Sequence, residues 1–222
     1  MRNPLAALFR TAVCAALAAV PLSAQAPSSG APSDVAALTA HDAHQGLLVA
    51  ADPYVPVTRY KAKFGKRSPD EAGVVAIDVY FRNDSESPIR LNLDTVVLLI
   101  SAPGESKQKL EPLAPEDVAD MVILKNRPDP TTKRRLPLPL PAGVPKSGKG
   151  KAWDEFAGTL RSAAMPTDVL PPHATVHGFF YFDIDHHYDW LSNARLDVPD
   201  LVFMLDKKAL IFFDVDLSLA KT

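Results

Sequence analysis

Histidine and aspartate side chains, which are ligands for divalent metal ions, crowd one short stretch of the second half of the sequence. The metal-ligand candidates in it are Asp183, Asp185, His186, His187 and Asp189. His41 or His44 would add to this set if the N-terminal strand lies nearby. Signatures such as HExxH are absent, and the alternative is a solvated loop whose aspartates satisfy turn backbone. Divalent-metal binding is therefore one hypothesis, beside a structural alternative.

Basic side chains concentrate in two segments, and each would suit an anionic surface such as lipid headgroups, a polysaccharide or an acidic protein. The first segment is interleaved with Tyr60 and Phe64, and the second lies among prolines that keep the chain extended. The alternative is a pair of solvated loops, because charge runs commonly do no more than stay in water. The predicted contact residues are Arg59, Lys61, Lys63, Lys66, Arg67, Lys133, Arg134 and Arg135.

Two aromatic residues beside the Asp/His stretch suggest a third kind of site. Tyr188 and Trp190 would stack on a sugar ring if both were exposed, which defines a carbohydrate-binding hypothesis. The alternative is that they anchor a loop on the core, because large aromatic side chains contribute heavily to burial.

Catalytic motifs give no support for an enzyme. The sequence lacks the Gly-x-Ser-x-Gly elbow of serine hydrolases, and its single cysteine, Cys14, lies in a segment that we expect to be removed. Asp and Glu number 26, too many for one pair to be singled out as acid and base. The sequence therefore favours a non-catalytic protein for which no cofactor is predicted, with a divalent metal as the alternative.

The first 26 residues have the layout of a secretory signal peptide. A positive start precedes an apolar run too short to span a bilayer, and Ala24-Gln25-Ala26 supplies small residues at the cleavage position. Cleavage near Ala26 predicts a cysteine-free chain that is periplasmic or secreted, with its formal charge moved from −2 to −4. Such a chain is not expected to bind nucleic acid or to span a membrane. Residues 27–40, rich in Pro, Ser and Ala, are predicted to form a flexible leader.

Residues 41–222 are predicted to form one β-rich domain. Residues 75–82 and 173–184 alternate with the period of a half-buried strand, and Phe179 and Tyr181 share the second face of the latter. Further strands are predicted over residues 89–93 and 95–100. A hairpin is predicted over residues 201–205 and 209–217, with inward-facing residues Ile211, Phe213, Val215 and Leu217.

Residues 112–170 interrupt this pattern as an insert. Pro115 and the acids after it predict a short helix, and residues 151–164 predict a second helix with an apolar stripe. The aromatic face of the 173–184 strand is a suitable seat for both helices. The side chains expected to be buried on it are Val118, Met121, Val122, Trp153, Phe156 and Leu160.

The order of these elements resembles the telokin-like, immunoglobulin-like domains of unknown function found on bacterial secreted proteins and lipoproteins. The resemblance rests on a strand that ends in polar turn residues (VVAIDVYFRNDSESPIRLNL), on a Leu-Pro-Pro lead into a strand with a central glycine (LPPHATVHGFFYFDI), and on a closing apolar hairpin. It covers residues 44–111 and 168–218 and implies an antiparallel β-sandwich in an exported protein.

The sequence thus predicts a mainly β, immunoglobulin-like antiparallel β-sandwich with a helical, Pro-rich insert. We expect a non-catalytic module that interacts with a protein or an anionic surface of the bacterial envelope. The alternatives are a divalent-metal-binding periplasmic protein and a carbohydrate-binding module.

Overall fold

The computed structural model describes residues 35–55, 57–101, 107–128 and 148–220. The predicted signal peptide, most of the predicted leader, and Lys133, Arg134 and Arg135 lie outside these residues. Within the described part of the chain, no helix is both long and apolar enough to cross a bilayer.

The described residues are mainly β, with few helices. The strands are β1 (His41–His44), β2 (Leu47–Pro53), β3 (Val74–Asn83), β4 (Ile89–Arg90), β5 (Val97–Ile100), β6 (Gln108–Leu110), β7 (Val169–Leu170), β8 (Thr175–Asp183), β9 (Ala194–Val198), β10 (Val202–Phe203) and β11 (Phe213–Asp216). The α-helices are α1 (Val57–Phe64), α2 (Pro115–Ala119) and α3 (Lys151–Ala163), and a π-helical turn (Asp120–Leu124) continues α2. Short 3-10 turns cover Val35–Ala37, Pro69–Ala72, Leu93–Thr95, Tyr188–Asn193 and Leu217–Leu219.

The strands pair antiparallel and form three sheets. The first sheet has the order β1-β2-β3-β8, the second β11-β9-β5-β6, and the small sheet β10-β4-β7. One buried cluster, the main core, takes Val79 and Phe182 from the first sheet and Leu98 and Val215 from the second. The first and second sheets therefore share one core, and the β-rich class predicted from the sequence is confirmed.

Strand β3 is buried on both faces, whereas its alternating pattern predicts a half-buried strand. The predicted inner face is confirmed, since Val75, Ile77, Val79 and Phe81 all lie in the main core. On the other face Val74 and Ala76 are also buried, because a second cluster covers them. A strand face that carries both polar and apolar residues can therefore be buried when helices cover it.

The helices form the layer that covers the outer face of the first sheet. Trp153, Phe156 and Leu160 of α3 pack with Phe179 and Tyr181 of β8 in this second cluster, the helical core. The helical core also contains Val118, Met121 and Val122. Both predicted helices and their seat on β8 are confirmed. Helix α1 has no counterpart among the predicted helices.

The C-terminal part follows the predicted hairpin only near its turn, where Val202 and Ala209 form an antiparallel β-bridge and Leu210 N–H donates to the Leu201 carbonyl at 2.8 Å. Strand β10 pairs with β4 and β11 pairs with β9, so the two strands enter different sheets. Ile211, predicted to face inward, is 61% exposed because it lies on the crossing between those sheets. Strand β4 is also shorter than predicted, since it ends at Arg90, and Leu93, the last residue of the predicted strand, begins a 3-10 turn.

Gly178 lets the chain after α3 approach the middle of β8. A Cβ at Gly178 would lie 2.5 Å from backbone atoms of Met165, and Ala164 forms a β-bridge with Phe179. Gly158 of α3 is different, because a Cβ there would meet no described atom within 4 Å. Glycine is thus required at position 178 by close backbone approach, and not at position 158.

We expect Gly178→Ala to lower the free energy of unfolding by about 1–3 kcal/mol, because the added methyl group must displace backbone. Gly158→Ala should raise it by about 0.5–1 kcal/mol, because alanine is the better helix former. Urea unfolding followed by circular dichroism measures both variants. Equal stability of the two variants would contradict the close approach.

Candidate functional site

The strands of the two larger sheets run between two ends of the domain, and the candidate residues separate onto these ends. In the β3–β8 ladder Val74 lies opposite Asp183 at one end, and Arg82 lies opposite Thr175 at the other. The Asp/His stretch, residues 183–189, begins with Asp183, so it lies at the first end. His44 pairs with Leu47, which pairs with Asn83, and this register places His44 at the second end.

Arg127 binds the two aspartates that begin the Asp/His stretch. Its guanidinium donates to Asp183 at 2.8 and 3.0 Å, to Asp185 at 2.6 Å and to the carbonyl of Ala72 at 3.3 Å. The carboxylates thereby attach the chain after the π-helical turn to the end of β8.

The structure does not bring the predicted metal ligands together. Across the described residues, no three His, Cys, Asp or Glu side chains are grouped so that they could hold a metal ion. His187 stacks on the Trp190 ring, with centroids 4.4 Å apart, while His44 stacks on Phe213 at 3.8 Å. His41 donates from Nδ1 to the carbonyl of Leu38, 2.6 Å away. The predicted ligands that do not form a common site are Asp183, Asp185, His186, His187 and Asp189, with His41 and His44.

Tyr188 and Trp190 are partly buried against the main core, which is the geometry of loop anchors. Burial, with a smaller contribution from Asp70, raises the pKa of Tyr188 from 10.0 to about 12. Its hydroxyl is buried and has no hydrogen-bond partner within the described part of the chain. A stacked sugar would have to compete with these existing contacts.

Helix α1 divides the first basic segment into structural and exposed residues. Arg59 donates to Asp52 at 2.5 and 2.9 Å and lies 4.0 Å from the centroid of the Tyr54 ring, and Arg67 pairs with Glu71 at 3.0 Å.

The lysines of this segment, Lys61, Lys63 and Lys66, are exposed. Tyr60 and Phe64, interleaved with them, are buried in the helical core. Three of the five predicted cationic side chains in α1 and just after it therefore face solvent without an acidic partner among the described residues.

A buried carboxylate of β3 orients one histidine of β8. Asp78, 3% exposed, accepts from the Tyr80 hydroxyl at 2.9 Å and lies 3.0 Å from Nδ1 of His177. The Tyr80 and His177 rings stack at 4.8 Å. Such an imidazole is fixed in orientation, yet no described Ser or Thr hydroxyl is bonded to it as a nucleophile. The trio satisfies a buried polar group and lacks the parts of a catalytic triad.

A polar groove of about 610 Å³ lies on the outer face of the second sheet. Its lining includes Ser101, Ser192, Arg195 and Asp214, and Arg195 donates to Asp214 at 2.8 Å. Because its central charges compensate one another, the groove presents hydrogen-bonding groups without a strong field.

The second end of the domain, which we call the loop end, consists of residues 45–46, 84–88, 171–174 and 204–212. Hydrogen bonds tie these segments together. Ile211 N–H donates to the Gln45 side chain at 2.7 Å, Asp84 N–H to the Gly46 carbonyl at 2.7 Å, and Met204 N–H to the Pro88 carbonyl at 2.8 Å. Asn83 connects the third segment through the Pro171 carbonyl at 3.1 Å.

Residues 204–212, the crossing segment, carry the apolar surface of the loop end. Leu205 is 75% exposed, Ile211 61%, Phe212 58% and Met204 37%. They include four of the six large apolar side chains that are exposed among the described residues. Lys207 and Lys208 are exposed at the tip of the same segment. None of these six residues is among the predicted site residues.

The sequence nevertheless contains a signal for this surface. Residues 209–213 are apolar without interruption and follow directly on two lysines. A strand with one face in the core buries alternate residues only, so an unbroken apolar run leaves every second apolar side chain outside the core. The prediction of a strand over this run therefore did not identify Ile211 and Phe212 as exposed.

Comparisons with known proteins add little. No model of a known protein family matches the sequence, and no curated protein matches it. Among solved structures, a functionally unknown protein from Listeria monocytogenes EGD-e is similar at 11% identity and a TM-score of 0.32, over 73% of each chain. A likeness at that TM-score supports neither a fold assignment nor a function.

Replacing Tyr188 by phenylalanine tests its role as an anchor. Because the pKa in the folded protein is raised to about 12, the unfolded chain loses this proton first, and stability falls as the pH rises from 10 towards 12. Tyr188→Phe lacks this loss, so we expect it to be more stable than the parent at pH 11. At pH 7 it should be neutral or stabilising by up to about 1 kcal/mol, since an unpaired hydroxyl is removed.

Tyr181→Phe is the matched control. The Tyr181 hydroxyl donates to the Leu160 carbonyl at 3.0 Å, and its loss should cost about 0.5–1.5 kcal/mol at pH 7. Urea unfolding at both pH values measures the pair. A Tyr188→Phe variant destabilised as much as Tyr181→Phe would show that the Tyr188 hydroxyl has a partner.

Proposed function

We propose that this protein is an exported, non-catalytic binding domain of the bacterial envelope, with an immunoglobulin-like sandwich and the loop end as its contact surface. The concentration of exposed Leu205, Ile211 and Phe212 in the crossing segment carries the proposal. Exposed apolar side chains scattered singly are ordinary, whereas a cluster marks an interaction site.

The architecture supports this choice of surface. Immunoglobulin-like domains have two antiparallel sheets on one core, with loops gathered at each end. Loops on a rigid scaffold commonly carry binding residues, because their side chains vary without disturbing the core. The loop end meets this description, since its segments are tied to strands of all three sheets.

Export is proposed from the N-terminal residues, whose layout is that of a secretory signal peptide. A chain without cysteine in its mature part must fold by packing alone in an oxidising compartment. The main core and the helical core supply that packing, since they bury large side chains such as Phe81, Phe182 and Tyr181 completely.

Retention on isolated envelope tests the proposal. We expect the purified protein to be retained, and Leu205→Ser combined with Phe212→Ser to reduce retention at least about tenfold, because two large apolar contacts are lost. Leu124→Ser combined with Leu219→Ser is the matched control, since both leucines are exposed but lie outside the loop end. Retention that falls equally in both double variants would refute the assignment of the loop end.

A third variant separates the two candidate surfaces. Lys61→Gln combined with Lys66→Gln removes exposed charge from α1 and from the turn just after it, and leaves the loop end unchanged. We expect its retention to match the parent. Loss of retention in this variant alone would move the contact surface to α1.

A further inference from the structure

The crossing segment combines apolar and cationic side chains in one exposed hairpin-like turn. Phe203 N–H donates to the Lys208 carbonyl at 2.9 Å, so the chain reverses between these residues. The Asp206 carboxylate accepts from Lys208 N–H at 3.1 Å, and Lys207 has a φ of 56°. The backbone of the tip is thus held by its own hydrogen bonds, and both lysine side chains point away from the core.

The apolar side chains lie on both flanks of this turn. Met204 is attached to the turn at residues 84–88, and Ile211 to the turn at residues 45–46, while those two turns are bonded to one another. Leu210, between the exposed groups, is buried and fixes the segment to the main core. The loop end therefore offers several apolar side chains on a fixed frame.

Charge and composition decide between a protein and a lipid partner. The centres of protein–protein interfaces are depleted of lysine, because burying an ammonium group is costly. At a bilayer surface, apolar side chains enter the boundary between headgroups and acyl chains, while lysines remain among anionic headgroups. At the tip two lysines accompany one carboxylate, Asp206. The other two acids of the loop end have basic neighbours, Asp84 with Arg82 at 3.0 Å and Glu86 with His173 at 3.1 Å, so the excess positive charge of this surface lies at the tip.

We infer that the loop end binds the surface of an anionic lipid bilayer, with Leu205 and Phe212 inserted and Lys207 and Lys208 among the headgroups. This inference rests on the proposed function, since it names the partner of the same surface. Neither the apolar nor the cationic group suffices alone, because weak lipid contacts become stable binding when two signals act together.

Co-sedimentation with lipid vesicles tests the inference on the purified protein. One vesicle contains phosphatidylcholine alone, and the other contains phosphatidylcholine with about 30 mol% phosphatidylglycerol, whose anionic headgroups give the surface a negative potential. We expect binding to the anionic vesicles. Lys207→Gln combined with Lys208→Gln should weaken it roughly twenty-five-fold, at about fivefold for each lysine. Raising the salt from 0.1 to 0.5 M should weaken binding of the parent.

A spectroscopic variant reports insertion directly. Leu205→Trp should show a blue shift of tryptophan fluorescence on anionic vesicles, and Leu124→Trp, at an exposed position outside the loop end, should show none. All substituted side chains are exposed, so the fold should persist, and thermal unfolding checks this.

The outcomes separate the two proposals. Binding lost in the lysine and apolar variants, with a shift at position 205 only, supports the lipid surface. Absence of vesicle binding while envelope retention still depends on Leu205 and Phe212 overturns the lipid partner and leaves the proposed function standing, with a protein partner instead. Vesicle binding that depends on Lys61 and Lys66 rather than on Lys207 and Lys208 also overturns the inference.

Discussion

Covering both faces of the β3–β8 pair is the constraint on which the rest of the structure depends. The two strands run in register from Val74 opposite Asp183 to Arg82 opposite Thr175. One face completes the main core, and the other carries Phe179 and Tyr181, which water would contact if the helices were absent. Burial of aromatic side chains is among the largest favourable terms available to a domain of this size. The helices thus belong to the same folding unit as the sheets.

Several charged residues that resemble site residues in the sequence serve mainly to position the helices over the first sheet. Arg59 joins α1 to Asp52 of β2, and Arg127 joins the chain after the π-helical turn to Asp183 of β8. Lys149 joins the start of α3 to Asp120 at 2.6 Å. Exposed ion pairs of this kind contribute about 0–1 kcal/mol each, so they set position more than stability. The same carboxylates are thereby occupied by arginine or lysine.

Periodicity predicted the β-rich class, the inner faces of β3 and β8, both helices of the insert and their seat. It succeeded because alternation and apolar stripes report directly which side of an element meets a core. It did not predict the burial of the outer face of β3, since Asp78 and Tyr80 look solvated until His177 satisfies the carboxylate. Nor did it predict α1, whose two buried aromatics are separated by three residues in a segment dominated by basic charge.

The sequence by itself determined most of the residues that lie in the main core or the helical core, because hydrophobic periodicity is a local property. Only the tertiary structure decided which polar and apolar residues remain for function. Among the predicted ligands of residues 183–189, Asp183 and Asp185 bind Arg127 from a distant part of the chain, and such a long-range partner leaves no trace in spacing. His187 stacks on Trp190, three residues further along the same segment. Conversely, residues 209–213 have the composition of a core strand. They become a surface because β10 and β11 enter different sheets, so Ile211 and Phe212 must cross between them in solvent.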